Sequence, residues 1–126
     1  MRIRILLAAV GAVWCAGAAA ADPAGKINLR VLYAGRPGDA RTAEFVAFLG
    51  QHFTKVGEAS YSDFEPAMAN DYDVVLFDAA SKRTTPNSLG LPKRPKLPPD
   101  YNRASVLIGG AGVMAVMPLA PKLDWL

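Results

Sequence analysis

Apolar residues change their spacing along the chain, and the spacing predicts alternating strands and helices. Near-continuous apolar runs at Ile27–Ala34 and Asp73–Phe77 predict strands that are covered on both faces of a sheet. Between them, apolar residues recur at the helical period from Thr42 to the neighbourhood of His52. Asp39 or Thr42 can cap the start of this helix, because both side chains accept hydrogen bonds from free backbone amides.

Weaker patterns predict the remaining elements and a long connection. Five prolines exclude a regular helix between Ser81 and Asn102, so this basic stretch is predicted to be a loop. Four glycine and alanine positions at Gly109–Gly112 are predicted to turn the chain. The other elements are a strand at Lys55–Ser60, a short helix at Asp63–Asn70, a strand at Ala104–Ile108 and a short helix at Val113–Met117.

The order of these elements predicts an α/β fold with an open parallel sheet, of the flavodoxin-like, three-layer kind. Such a sheet needs helices on both faces, and only one long helix is predicted. We therefore expect residues 22–126 to be the N-terminal portion of a domain that is incomplete, with Leu126 in the approach to a further element.

The first 21 residues have the pattern of a secretory signal peptide. Arg2 and Arg4 precede an apolar run at Ile5–Ala20, and small residues at Ala18–Ala21 offer cleavage sites. The run is short for a membrane span, which needs about 20 residues. The sequence therefore predicts a periplasmic or extracellular protein with no membrane segment after cleavage. An uncleaved N-terminal anchor is the alternative.

The loss of this segment changes both the charge and the chemistry of the protein. The formal charge of +3 falls to about +1 once Arg2 and Arg4 are removed. Cys15 is the single cysteine, and Trp14 before it disfavours lipid attachment. A chain without Cys15 has no cysteine, which excludes disulfides, thiolate catalysis and cysteine metal sites.

The glycine corner resembles two known active-site turns without satisfying either. A nucleophile elbow needs a serine or cysteine at a strand-to-helix turn, and Gly109–Gly112 carries neither. The spacing from Gly110 through Gly112 to Ala115 fits the dinucleotide fingerprint, but the acidic residue expected about 20 positions later is missing. Close packing of a strand against a helix is the favoured interpretation, and no cofactor is predicted.

Two further features place candidate ligand contacts at the carboxyl ends of the strands. Arg36 and Arg41 flank a predicted helix N-terminus, where backbone amides suit an anion, although a plain turn explains the same residues. Asp78 ends a strand and either caps a turn or lines the ligand crevice of such folds. The candidate ligand-binding residues are Gly35, Arg36, Gly38, Arg41, Thr42, Asp78, Gly109, Gly110 and Gly112.

Other functions lack their characteristic residues. A phospho-acceptor role for Asp78 needs an acidic cluster after the first strand, where Gly35 and Arg36 stand instead. His52 is the single histidine, so a metal site has too few ligands, and no metal is predicted. The basic loop at 82–96 lacks interleaved aromatic residues, which argues against nucleic-acid binding. No catalytic residue is assigned.

Three stretches together resemble the start of a ThuA-like (trehalose-utilisation-like) protein, of the class I glutamine amidotransferase-like superfamily. They read LRVLYAGRPGDARTAEFVAFLGQHF, YDVVLFD and SVLIGGAG, and the resemblance covers roughly residues 28–120. It implies an open parallel sheet with a ligand crevice at its carboxyl edge and no amidotransferase cysteine. Some members of the family are linked to carbohydrate metabolism.

Three functions follow as hypotheses. The leading one is a secreted, non-catalytic domain that binds a small sugar-like or anionic ligand at the carboxyl edge of the sheet. The second is a hydrolase-like enzyme whose catalytic residues lie beyond Leu126, which the downstream DNA would reveal. The third is an interaction module whose incompletely covered sheet associates with itself or with a partner.

Overall fold

A computed structural model describes residues 25–85, 88–90 and 92–119 of the chain, with side-chain detail omitted for residues 82–89. The predicted signal peptide therefore lies outside the described residues, as does the segment after Leu119. The elements are β1 (Ile27–Gly35), α1 (Ala40–His52), β2 (Phe53–Ser60), β3 (Val74–Phe77), β4 (Lys82–Thr85), β5 (Ser88–Gly90), β6 (Ser105–Leu107) and α2 (Gly109–Val116), with 3₁₀ turns at Pro66–Ala69 and Met117–Leu119.

Four strands form one parallel sheet in the order β2-β1-β3-β6. Tyr33 of β1, Leu76 of β3 and Val106 of β6 lie in one register row across it. This order, with the first strand between the second and the third, is that of flavodoxin-like sheets. The predicted α/β fold with an open parallel sheet is therefore confirmed.

The two faces of the sheet are covered unequally. On one face, Val31 and Tyr33 pack against Leu49 of α1, and α1 lies over β1 and β2. On the other face, the larger cluster joins Leu32 and Phe77 to both 3₁₀ turns, the proline-rich segment and α2. Alternate residues of β1 and of β3 therefore enter different cores, which explains why these two strand sequences are apolar at consecutive positions.

The structure corrects the predicted loop between Ser81 and Asn102. A two-stranded antiparallel hairpin, β4 with β5, interrupts it. The proline-rich part that follows packs on the core, because Pro95 and Leu97 are buried and Tyr101 meets the ring of Phe77 edge-on, 6.3 Å between centroids. The prolines exclude a helix as expected, but they do not prevent the segment from covering the sheet.

Two predicted helix boundaries also change. The glycine corner is not a turn before α2 but its first turn, since the helix begins at Gly109 and Ile108 is the N-cap. The segment after β2 forms only the 3₁₀ turn at Pro66–Ala69, with Glu65 as its N-cap, and not the helix predicted at Asp63–Asn70. The cap of α1 is Asp39, one of the two residues predicted for it.

None of the helices within the described ranges is both long enough and apolar enough to cross a membrane.

Candidate functional site

The carboxyl ends of the strands meet at one edge of the sheet, and this edge carries the predicted site. Gly35 ends β1, Asp78 follows β3, and Gly109 begins α2 directly after β6. Backbone hydrogen bonds join these ends: the Asp78 amide donates to Ala34 at 3.1 Å, and the Ile108 amide donates to Phe77 at 3.0 Å. The predicted residues are therefore brought to neighbouring positions along the same edge.

Asp78 is the polar centre of this edge. Its side chain is only 4% exposed and accepts three hydrogen bonds. The Tyr33 hydroxyl donates to Oδ2 at 2.6 Å, and Arg41 donates from Nε at 2.8 Å and from Nη2 at 3.3 Å. A buried carboxylate needs such partners, and here they tie the first turn of α1 to β1 and β3.

The network fixes the protonation of its donors. Burial, and then the hydrogen bond to Asp78, raise the pKa of the Tyr33 hydroxyl. The same carboxylate raises the pKa of the Arg41 guanidinium through its hydrogen bond. Phe45 completes the cluster, because its ring stacks on Tyr33 at 5.5 Å and lies 4.9 Å below the Arg41 guanidinium carbon. The Arg41 guanidinium group thus makes its contacts within the protein, with Asp78 and with Phe45.

Arg36 is placed differently from Arg41. Its Nη2 donates to the Ala80 carbonyl at 3.1 Å, while its Nε is buried with no acceptor among the described residues. Neither of the two ion pairs within the described residues involves Arg36. Its guanidinium therefore lies between the connections that leave β1 and β3, with a charge that no described carboxylate neutralises.

The turn around Arg36 encloses a small hollow. Residues 36–40 line a volume of about 230 Å³ in front of the α1 N-terminus. Gly38 has a φ of 70°, a conformation that favours glycine. The Asp39 side chain accepts from the Arg41 amide at 3.3 Å, and the buried Thr42 hydroxyl donates to the Arg36 carbonyl at 2.9 Å. Thr42 thus holds the turn itself.

Glycine occupies the different positions of the site for different structural reasons. A Cβ on Gly112 would lie 2.8 Å from the Phe77 oxygen and from the Leu107 carbonyl carbon, so this glycine lets α2 pack against β3 and β6. A Cβ on Gly35 would clash with Tyr33 and Thr42. Gly109 has a φ of 62° and open space around it. Gly110 is exposed in the first turn of α2.

Sequence reasoning missed Tyr33, which it treated as one more apolar strand residue. A signal was available, because a tyrosine in a strand buried on both faces needs a partner for its hydroxyl. Asp78, at the end of another buried strand, was the obvious acceptor. What the sequence could not show is that β1 and β3 are neighbours, which places the two side chains within 2.6 Å.

The part of the chain that the structure describes contains no group of three or more histidine, cysteine, aspartate or glutamate side chains able to hold an ion. His52 is the last residue of α1, and its ring lies 4.6 Å from the ring of Phe48.

Comparisons with protein-family models, with curated proteins and with solved structures found no match. The fold and the edge therefore define a class and no more: an open parallel α/β sheet whose carboxyl edge carries a buried Tyr33–Asp78–Arg41 network beside Arg36, which forms no ion pair among the described residues.

Proposed function

We propose that the chain is a secreted, non-catalytic domain of the ThuA-like class that binds a small hydroxyl-bearing anion, such as a sugar acid, at the carboxyl edge of its sheet. Flavodoxin-like sheets bind ligands between the carboxyl ends of β1 and β3, where the strand order reverses. Arg36 follows β1 and reaches Ala80, beyond the end of β3, so it spans this position.

The observation that carries the proposal is the charge of Arg36, which lines the hollow at residues 36–40 and forms no ion pair among the described residues. Its Nε has no acceptor among those residues either. A carboxylate or phosphate oxygen is the natural acceptor, because guanidinium groups bind such anions with paired hydrogen bonds. Arg41 is already paired with Asp78, so Arg36 supplies the positive charge for the ligand.

The neighbouring charges favour an anion that also carries hydroxyl groups. The Asp39 carboxylate lines the same hollow as Arg36, and only one hydrogen bond from the protein, that of the Arg41 amide, reaches its side chain among the described residues. A simple anion would be repelled by this carboxylate, whereas a hydroxyl group can donate to it. The pair of Arg36 and Asp39 therefore matches a sugar-like acid better than an inorganic ion.

Calorimetric titration of the purified protein with gluconate, glucose and inorganic phosphate tests the proposal. We expect gluconate to bind most tightly, and Arg36→Gln to weaken it at least tenfold. Arg30→Gln is the matched control, since Arg30 pairs with Asp73 near the start of β3, at the amino edge of the sheet. Equal weakening by both variants, or no heat from any of the three ligands, would overturn the proposal.

Export is part of the proposed function and has its own test. The mass of the protein recovered outside the cytoplasm should correspond to a chain that lacks about 21 N-terminal residues. Leu7→Arg, which interrupts the apolar run, should leave the full chain inside the cell. Recovery of the wild-type chain from the cytoplasm with Met1–Ala21 still attached would contradict secretion.

A further inference from the structure

A second and larger hollow lies on the face of the sheet opposite α1. It has a volume of about 490 Å³, within the range of small-ligand pockets. One wall is the segment at 62–67, which follows β2, and the other wall is provided by Lys93 and Lys96 of the proline-rich segment. We call this hollow the charged groove. It is separate from the Arg36 turn, because no residue lines both.

The two walls of the charged groove have opposite charge. Asp63 and Glu65 lie on one wall, and Lys93 and Lys96 lie on the other. All four side chains are exposed, and no ion pair within the described residues joins one wall to the other. Two carboxylates and two ammonium groups therefore border one hollow and stay available to a ligand.

Both walls are held in place by contacts beneath them. The Ser60 hydroxyl donates to Asp63 Oδ2 at 2.8 Å, and the neighbouring Phe64 is buried against Phe77 with 5.0 Å between ring centroids. On the other wall, Pro95 and Leu97 are buried and alternate with the lysines. The backbone on both sides of the groove is thus held in place, so that mainly the exposed charged side chains lose conformational entropy when a ligand binds.

We infer that the charged groove binds a small zwitterion, such as a short peptide with free termini. The ammonium group of the ligand would lie against Asp63 and Glu65, and its carboxylate against Lys93 and Lys96. A singly charged ligand would satisfy one wall and meet like charge on the other. A short peptide such as a tripeptide carries both terminal charges on one molecule, about 10 Å apart when it is extended.

Three matched peptides test the inference by calorimetry on the purified protein. Triglycine carries both terminal charges, N-acetyltriglycine keeps only the carboxylate, and triglycinamide keeps only the ammonium group. We expect triglycine to bind at least tenfold more tightly than either blocked form, because each blocked form lacks one of the two ion pairs. Equal affinity for triglycine and one blocked form, or no binding of triglycine, would overturn the inference.

Paired substitutions assign the binding to the groove. Lys93→Gln with Lys96→Gln should remove the advantage of triglycine over triglycinamide, and Asp63→Asn with Glu65→Gln should remove its advantage over N-acetyltriglycine. Lys55→Gln with Glu44→Gln is the control, because it removes charges of both signs outside the groove. If the control loses as much affinity as the groove variants, the assignment is wrong.

Amide chemical shifts separate this inference from the proposed function. Triglycine should move the resonances of residues 62–65 and of Lys93 and Lys96. Gluconate should move those of Arg36 and of residues 38–40 instead. Because the two ligands report on different residues, either site can fail without the other. Shifts from triglycine confined to residues 36–41 would overturn the charged groove.

Discussion

A carboxylate at the end of β3 organises the first turn of α1 from a buried position. Asp78 is 3% exposed, yet each of its oxygens has a donor within 3.3 Å. Tyr33 is fully buried, and Asp78 is the hydrogen-bond partner of its hydroxyl group. The Tyr33–Asp78 hydrogen bond therefore contributes more to the stability of the fold than the Arg41–Asp78 pair, because the half-exposed Arg41 side chain can form hydrogen bonds with water instead.

Asp78→Ala should lower the free energy of unfolding by about 2–3 kcal/mol, because it leaves the Tyr33 hydroxyl buried without a partner. Urea denaturation measures this change. Tyr33→Phe alone should cost less, since Asp78 keeps Arg41. The double variant should cost less than the sum of the two single variants, because it leaves no orphaned hydroxyl. Additive losses would contradict a direct hydrogen bond.

The exposed ion pair at the amino edge predicts a pH effect. Hydrogen bonds from the Arg30 side chain and amide lower the pKa of Asp73 from 3.8 to about 2. A carboxyl group whose pKa is lower in the folded protein than in the unfolded chain stabilises the fold above the unfolded pKa. This contribution should be lost as the pH falls from about 4 through 2.

Arg30→Gln tests that prediction, because it removes the charged donor from Asp73. A carbon-detected NMR titration should find the pKa of the Asp73 carboxyl group raised toward 3.8 in the variant. Arg103→Gln is the control, since Arg103 donates to Ala69 and Asn70 and not to Asp73. The same low pKa in Arg30→Gln as in the wild type would show that Arg30 is not its cause.

At the scale of elements, α2 shows how a glycine-rich sequence can form a helix because of what lies beneath it. Glycine is unfavourable in a helix interior, and α2 begins with two consecutive glycines and contains a third. The close approach of Gly112 to the backbones of β3 and β6 explains the third. Ala111 and Ala115, both buried, continue the same small contact surface. Packing against the sheet thus outweighs the local preference.

Gly112→Ala should lower the free energy of unfolding by about 1–3 kcal/mol, because the new methyl group would overlap the Phe77 and Leu107 backbones. Gly50→Ala is the matched control inside α1, where a Cβ meets nothing within 4 Å. It should stabilise the protein by about 0.5–1 kcal/mol. Thermal or urea unfolding distinguishes the two. Stabilisation by both would mean that α2 does not pack this closely.

At the scale of the whole molecule, the described residues cover only half of the face of the sheet that carries α1. Helix α1 lies over β1 and β2, and α2 packs on the opposite face. Within the described residues, neither helix covers this face over β3 and β6. Val106 of β6 lies there in register with Leu76, is 47% exposed, and belongs to an edge strand. Edge strands with exposed apolar side chains promote self-association.

Light scattering over a range of protein concentrations should therefore show a mass above that of a single chain, rising with concentration. Val106→Lys should reduce this association, because a charge on an edge strand opposes pairing. Val113→Lys should not, since Val113 lies on α2, on the other face. A single-chain mass at every concentration of the wild type would contradict this prediction.

The sequence by itself determined the order of the elements that build the parallel sheet, and it limited the cap of α1 to Asp39 or Thr42. These features depend on local periodicity and on short-range chemistry, such as the Asp39 side chain meeting an amide two residues later. It also identified Asp78 and the two arginines as residues at the carboxyl edge, because strand ends are readable from apolar runs. The hairpin of β4 and β5 was not predicted, because its segment shows no clear alternation of apolar and polar residues.

Only the tertiary structure decided which of these residues pair. Arg36 and Arg41 look equivalent in the sequence. Because β1 and β3 are neighbours, Asp78 pairs with Arg41, and no carboxylate among the described residues pairs with Arg36. The charged groove likewise joins segments about 30 residues apart in the chain. Pairing across strands and connections is a property of the folded arrangement, since no local pattern records which distant residue becomes a neighbour.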